Sequence, residues 1–266
     1  MICLVEYTVV TLDKEGAVGV LTLNNPATLN ALNSTLVAEM GRALEVIAAD
    51  NQIRGLIVTG GEKVFAAGGD IKAMMECTPL AAKEYVASIH TVFNRLAEIS
   101  IPTIAAICGY ALGGGLELAA CCDFRFAGEG ARFGFPEVTL GIFPAAGGSQ
   151  RIPRLIGVGK AKELMFSGDI IDAKTALGLG LVNRVVPDSE VITKAKEFAQ
   201  KLSTRAPLAL RYLKASIHAG LNTDLNTGLE QELEKVAILF STRDQKEGMR
   251  AFMEKRKPNF IGEYHR

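Results

Sequence analysis

The segment from Ser100 to Cys122 carries a single charged side chain, Glu117, in an otherwise apolar and glycine-rich stretch. A carboxylate buried among apolar residues must find hydrogen-bond donors or water, or its pKa is displaced, and general acid–base catalysis uses displaced pKa values. Three glycines, residues 113–115, precede Glu117 and leave backbone N–H groups open to a ligand at the start of a predicted helix. We therefore expect amide donors and a carboxylate within one helical turn.

The composition indicates a globular protein with a large core. The 266 residues, 48% of them hydrophobic, fit one large domain or a core domain with a smaller appendage. Lys and Arg total 29, as do Asp and Glu, so we expect no broad positive field and no nucleic-acid partner. The amino terminus lacks a basic leader, and Pro102 and the glycines interrupt the one apolar segment; we predict a cytoplasmic protein without a membrane span.

The cysteines are odd in number and lack metal-type Cys-x-x-Cys spacing. We predict that all of them are reduced core residues: Cys3, Cys77, Cys108, Cys121 and Cys122.

Hydrophobic periodicity predicts alternating strands and helices as far as Val186. The predicted elements are a hairpin at 3–12 and 17–24, helices at 35–49, 80–99 and 114–120, and strands at 55–60, 103–108, 123–127 and 132–135. This alternation predicts an α/β core in which glycine-rich loops share one edge of a sheet, where ligands of such folds bind. From Pro187 onward only helices are predicted, at 191–202, 207–219, 224–240 and 243–255. We divide the chain into a core, residues 1–200, and a helical subdomain, residues 201–266.

A second carboxylate, Glu137, follows Phe135 and Pro136 beside another glycine-rich loop, residues 141–148. Two carboxylates in apolar loops can divide acid–base work between them if their surroundings set different protonation states. Asp70 directly precedes Ile71 in a third such loop, and there we favour a helix N-cap over a ligand contact.

The sequence lacks the residue patterns of metal sites, serine hydrolases and nucleotide-binding loops. His90, His218 and His265 stand in no motif with a nucleophile or a second ligand, and Ser149 lacks the Gly-x-Ser-x-Gly elbow. The run from Gly157 lacks the remaining residues of a nucleotide-binding loop and predicts a turn into a helix. We predict neither a metal site nor a serine hydrolase.

Residues 104–124, which read IAAICGYALGGGLELAACCDF, closely resemble the signature of the enoyl-CoA hydratase/isomerase, or crotonase, family. Further blocks similar to that family are Asn25-Pro26, Asn30-Ala31-Leu32 and residues 65–71, 133–137, 147–151 and 252–260. The resemblance implies an α/β crotonase (ClpP-like) fold, a spiral of ββα repeats with a C-terminal helical oligomerisation subdomain. It also implies a homotrimer or a hexamer built as a dimer of trimers.

The resemblance further implies the roles of individual residues. The backbone N–H groups of Gly69 and Gly114 would form an oxyanion hole for an acyl thioester oxygen. Glu117 and Glu137 would flank one water, with Glu137 as the principal acid/base at the α carbon and Glu117 as the group that orients and activates the water. Coenzyme A, as part of the substrate and with no separate cofactor, would lie along the loop with Ala66, Ala67, Gly69, Asp70 and Ile71; Lys63, Phe252 and Lys255 are secondary candidates.

The activity that the resemblance implies is enoyl-CoA hydration, the reversible syn addition of water to the trans-2 double bond of a short-chain enoyl-CoA. Two alternatives stay open: a Δ3,Δ2-enoyl-CoA isomerase, and a non-catalytic acyl-CoA-binding or RNA-binding relative. The chain departs from the familiar pattern at four positions, namely Ala27, Gly69, Phe135 and Ala145. Gly69 and Ala145 keep their backbone N–H groups, Phe135 makes the acyl pocket less polar, and Ala27 removes a possible phosphate contact.

Overall fold

A computed structural model describes residues 6–265 of the chain. The strands are β1 (Val10–Glu15), β2 (Val18–Leu23), β3 (Gly55–Thr59), β4 (Thr103–Ile107), β5 (Tyr110–Leu112), β6 (Phe124–Gly128), β7 (Arg132–Gly134), β8 (Ile170–Asp172) and β9 (Arg184–Val186). The helices are α1 (Ser34–Ala49), α2 (Ile71–Met75), α3 (Pro79–Glu98), α4 (Gly114–Ala120), α5 (Gly148–Ile156), α6 (Val158–Ser167), α7 (Ala173–Gly178), α8 (Val191–Ser203), α9 (Pro207–Gly220), α10 (Leu225–Leu239) and α11 (Arg243–Met253). Short 3-10 turns cover Pro26–Thr28, Pro136–Leu140 and Asp188–Glu190.

Two sheets organise the core. The larger has the strand order β1-β2-β3-β4-β6-β9, in which only the β1–β2 pair is antiparallel, and the smaller has the order β5-β7-β8. The chain passes from β4 in the large sheet to β5 in the small sheet and then to α4, and repeats this path from β6 to β7. This winding confirms the predicted α/β spiral of ββα units.

Helices cover both faces of the large sheet, which explains why β3 and β4 are buried along their whole length. On one face α1 and α3 pack together over the main hydrophobic cluster. On the other, α8 presents Val191, Ala195 and Ala199 at helical spacing to β2, β3, β4 and β6. The proposed domain boundary at residue 200 falls inside α8 and stays a prediction.

The first hairpin turns later than its sequence pattern indicates. We predicted strands at 3–12 and 17–24, whereas β1 runs on to Glu15 because Gly16, with φ +61°, makes the turn after it. Residues 3–5 of the predicted strand lie outside the described residues, and the prediction is wrong for residues 6–9, since β1 begins only at Val10. The pattern also missed β5 and β8, three residues each, since such short strands exist only through pairing with β7.

Three of the cysteines are core residues as predicted: Cys108, Cys121 and Cys122 are buried and unpaired. Cys77 is only half-buried, because it follows the short helix α2 on the surface, so its assignment to the core is wrong. Cys3 lies outside the described residues.

The helices of the C-terminal part match the predicted ones, and α9 packs against α10. Asp244, at the start of α11, accepts hydrogen bonds from the amides of Ile261 and Gly262 and so folds the terminal segment back. Arg54 donates to the carbonyl of Phe260 and ties that segment to the core. Within residues 6–265 no helix is long and apolar enough to cross a membrane.

Candidate active site

The triple glycine lies between β5 and α4, where the backbone is too crowded for side chains. Gly113 has φ +49° and donates to the carbonyl of Gly134, 2.9 Å away. A Cβ on Gly115 would lie 2.1 Å from the carbonyl oxygen of Ala66, and one on Gly114 would lie 2.7 Å from a methyl of Leu32. Glycine at these positions therefore lets α4 begin directly against the loop at residues 66–69.

This close packing brings together the two backbone amides that the family resemblance assigned to an oxyanion hole. The nitrogen of Gly69 lies 3.7 Å from the position that a Cβ on Gly114 would occupy. Neither N–H donates to a protein acceptor in the part of the chain from 6 to 265. Two adjacent amides without protein partners, one of them at a helix start, can both donate to one ligand oxygen.

A buried asparagine, which the sequence analysis quoted in a motif without a role, holds this loop. Asn30 is 2% exposed, its side-chain amide donates to the carbonyls of Val64 and Phe65 at 3.2 and 3.0 Å, and its side-chain oxygen accepts from Asn25 N–H at 2.8 Å. The residue has φ +57°, a left-handed conformation that asparagine tolerates better than most residues. The signal for this role in the sequence was a polar residue among residue types that are common in turns.

Glu117, on α4, is 2% exposed. One of its carboxylate oxygens accepts a hydrogen bond from the N–H of Gly148, 2.6 Å away, at the first residue of α5. Burial raises the pKa of Glu117 to about 7, and the charge of Glu137 adds to that rise, while the Gly148 and Ala146 amides and the charge of Arg151 oppose it. The carboxylate is thus poised to exchange a proton near neutral pH.

Glu137 lies in the 3-10 turn that follows β7, where Pro136 begins the turn. Its Oε2 is buried and makes no hydrogen bond within the described chain, and burial raises its pKa to about 7. The other oxygen packs on Gly113: a Cβ there would lie 2.6 Å from Glu137 Oε1. The carbonyl of Gly113 also accepts a hydrogen bond from the backbone N–H of Glu117. The backbone of Gly113 therefore contacts both glutamate residues and places them in one site.

The surroundings of the two carboxyl groups differ in kind. Amide donors and a nearby arginine stabilise the ionised form of Glu117, whereas the unpartnered oxygen of Glu137 favours the neutral acid. The charge of Glu137 raises the pKa of Glu117, so the protonation state of Glu137 affects that of Glu117. At neutral pH the arrangement can hold one base and one acid side by side.

The loop predicted to contact coenzyme A leads from this site to the surface. Ala66 is fully buried, and its amide and carbonyl bond to Tyr110 and Leu112, whereas Ala67 is half-buried and Ile71 exposed. Asp70 caps α2 by accepting the N–H of Ala73 at 3.1 Å, which confirms the N-cap that we favoured. Contacts of this loop with coenzyme A stay predictions.

The three secondary candidates are exposed. Lys63 precedes the loop, Phe252 on α11 is 86% exposed, and Lys255 follows that helix with φ +54°. None of them takes part in the arrangement around Glu117 and Glu137 described above, and their roles also stay predictions.

An α/β spiral that brings together two backbone amides, the buried carboxyl group of Glu117 and the half-buried one of Glu137 defines an enzyme class suited to acyl thioesters that pass through an enolate-like state. Comparison with known proteins agrees. The model of the enoyl-CoA hydratase/isomerase family matches residues 13–263. The chain belongs to that family.

Individual relatives cover nearly the whole chain. A short-chain-enoyl-CoA hydratase of Clostridium acetobutylicum is 47% identical over 95% of this chain and 97% of its own length, and a crotonyl-CoA hydratase of Syntrophomonas wolfei is 44% identical over 96% and 98%. Among solved structures, an enoyl-CoA hydratase from Bacillus anthracis superposes with a TM-score of 0.93 at 41% identity, covering 96% of this chain and all of that one.

Proposed function

We propose that this protein is an enoyl-CoA hydratase that adds water reversibly, in a syn sense, to the trans-2 double bond of short-chain enoyl-CoA thioesters. The observation that carries the proposal is the pairing of buried Glu117 and half-buried Glu137, whose surroundings differ, beside two amides that have no protein partner among residues 6–265. The names of the similar hydratases from Clostridium acetobutylicum and Syntrophomonas wolfei support the substrate class and its short acyl chain.

The thioester oxygen accepts hydrogen bonds from the N–H groups of Gly69 and Gly114. Negative charge grows on this oxygen as the β carbon is attacked, and donors already fixed in place stabilise it without reorganising. The N-terminal end of α4 adds partial positive charge. In other enzymes the loss of one such donor costs about 3 to 4 kcal/mol of transition-state stabilisation.

The two glutamates divide the proton transfers. Ionised Glu117 takes a proton from water while the water oxygen bonds to the β carbon, and neutral Glu137 gives its proton to the α carbon. A proton then moves from Glu117 to Glu137, through solvent, and restores the starting state. Because one carboxyl must be ionised and the other neutral, we expect a bell-shaped dependence of kcat/KM on pH, centred near pH 7.

We further propose that coenzyme A lies along residues 66–71 with Lys63 near its phosphates, and that no separate cofactor is needed. A trimer, or a hexamer of two trimers, would place Phe252 and Lys255 against a neighbour's site. The exposed apolar side chains of the tail support assembly: Leu213, Ile217, Leu221, Leu225, Leu229, Leu233 and Phe240. Light scattering that finds a stable monomer would reject the assembly.

The decisive assay follows the loss of enoyl-thioester absorbance with crotonyl-CoA for the wild type, Glu137→Gln and a control, Glu129→Gln. Glu129 is exposed on the turn after β6, so its variant should keep the full rate. We expect Glu137→Gln to lose at least a hundredfold in kcat, since acid–base catalysis contributes about that much. Equal rates for the wild type and Glu137→Gln would sink the assignment.

Product mass separates hydration from the isomerase alternative. Hydration adds one water to the substrate, whereas movement of a double bond leaves the mass unchanged. Trials across acyl lengths would then establish the preferred acyl chain.

A further inference from the structure

Helix α3 contacts the segment at residues 145–151, whose Gly148 amide binds the Glu117 carboxylate. His90 and Asn94 lie four residues apart and so share one face of that helix. The His90 ring nitrogen Nε2 lies 2.6 Å from the carbonyl oxygen of Ala145, and the Asn94 side-chain oxygen accepts from Arg151 Nη2 at 2.5 Å. Helix α3 therefore contacts this segment at both of its ends, Ala145 and Arg151.

Arg151 links the contacts made by α3 to the carboxylate of Glu117. Its guanidinium nitrogen Nη1 packs against Gly147, where a Cβ would come within 1.9 Å of it, and the backbone N–H of Arg151 donates to the carbonyl of Gly147 at 2.8 Å. The next residue, Gly148, donates the 2.6 Å hydrogen bond to Glu117. The position of that donor is thus coupled to the position of Arg151.

The contact of Arg151 with Asn94 is to a neutral amide oxygen, so this hydrogen bond leaves the guanidinium charge uncompensated. The charge favours the ionised form of Glu117. Further titratable groups near Glu117 are Glu137 from the 3-10 turn, which opposes ionisation, the thiol of Cys121 on α4 itself, which burial keeps protonated, and His90 of α3, whose ring contacts the loop at the carbonyl of Ala145.

We propose that Arg151 is a positioning residue for Glu117: held by Asn94, it keeps Gly147 and Gly148 where they receive the carboxylate, and it supplies the positive charge that keeps this carboxylate ready to accept a proton. The proposal rests on the proposed function for its kinetic consequences. Arg151 does not touch the substrate in this scheme.

The main experiment measures kcat and the pH profile of kcat/KM for Arg151→Gln and Arg151→Lys. The glutamine variant loses the charge, and we expect kcat to fall about tenfold and the acid limb of the profile to move up by about one pH unit. Lysine keeps the charge without the planar fork, so kcat falls while the acid limb stays near that of the wild type. Arg154→Gln is the matched control, because Arg154 lies on the same helix and donates only to the carbonyl of Gln150; both kcat and the profile should stay unchanged.

A variant that leaves Arg151 in place tests the charge separately. Asn94→Asp puts a carboxylate next to the guanidinium and partly neutralises it, so the acid limb should again move up. Arg151 and Asn94 line a cleft of about 840 Å³ at the C-terminal end of α4, where water can solvate the changed side chains. Should Arg151→Gln fail to fold, Asn94→Asp carries the test.

A direct titration separates failure of this inference from failure of the proposed function. The pKa of Glu117 can be followed by carbon-13 NMR of glutamate-labelled protein, with Glu117→Gln for assignment, whether or not the wild type hydrates crotonyl-CoA. A higher Glu117 pKa in Arg151→Gln supports the inference. An unmoved pKa in Arg151→Gln and Asn94→Asp, or an unmoved acid limb, overturns it.

Discussion

Asn30 offers a quantitative test of how the loop that bears Gly69 is held. Replacing it by alanine removes three buried hydrogen bonds, two to carbonyls and one from the Asn25 amide. At about 1 kcal/mol each, the loss is about 3 kcal/mol in the free energy of unfolding. Alanine at φ +57° adds strain of about 1 to 2 kcal/mol.

The glycine variant separates these two contributions. Asn30→Gly loses the same hydrogen bonds without the strain, but its unfolded chain is more flexible by about 0.4 to 1 kcal/mol relative to alanine. We therefore expect Asn30→Gly to cost about 3.5 to 4 kcal/mol and Asn30→Ala about 0.5 to 1 kcal/mol more. Leu29, with φ +54° and an exposed side chain, gives the control: Leu29→Gly relieves strain and leaves kcat unchanged.

Urea unfolding at one protein concentration measures the free energies, and crotonyl-CoA hydration measures kcat. Because Asn30 holds the carbonyls of Val64 and Phe65, a few residues before Gly69, both variants should lose at least tenfold in kcat as the amide donor shifts. Variants within 1 kcal/mol of the wild type, or an alanine variant more stable than the glycine one, would refute the reasoning.

Two further predictions concern the glycines and the pH dependence of stability. Gly113→Ala should reduce kcat at least a hundredfold and lower the melting temperature, because its Cβ would lie 2.6 Å from Glu137 Oε1 at φ +49°; Gly159→Ala, the control, adds a Cβ on the exposed helix α6 with no heavy atom within 4 Å and should keep kcat unchanged. Burial raises the pKa of Glu117 from 4.5 to about 7, so the folded protein binds more protons than the unfolded chain in that window and stability falls as pH rises through it. Glu117→Gln should therefore be more stable than the wild type at pH 8, by on the order of 3 kcal/mol, and the gain should vanish near pH 4.5; urea unfolding at both values checks this, and an equal difference at both would contradict it.

The family blocks made much of the site predictable. Glu117 stands out because a lone charge in an apolar stretch needs a reason, and Gly113–Gly115 because consecutive glycines rarely occur without close packing or a turn. The tail helices follow from their apolar periodicity. The blocks with Asn30 and Arg151 were visible too, but no role could be assigned, since each acts on residues more than thirty positions away or on another helix.

The amino-acid sequence by itself determined the alternation of strands and helices, the glycine turn before α4 and the presence of two carboxylates in apolar surroundings, because periodicity, glycine content and isolated charge are local properties. Only the tertiary structure decided which groups meet. The short strands β5 and β8 exist through pairing with β7, and the free amide of Gly69 comes beside that of Gly114 through packing across sheets. The surroundings of Glu117 and Glu137 differ because α5 donates a hydrogen bond to Glu117, whereas one oxygen of Glu137 has no donor among the described residues. Both conditions depend on how distant segments of the chain pack.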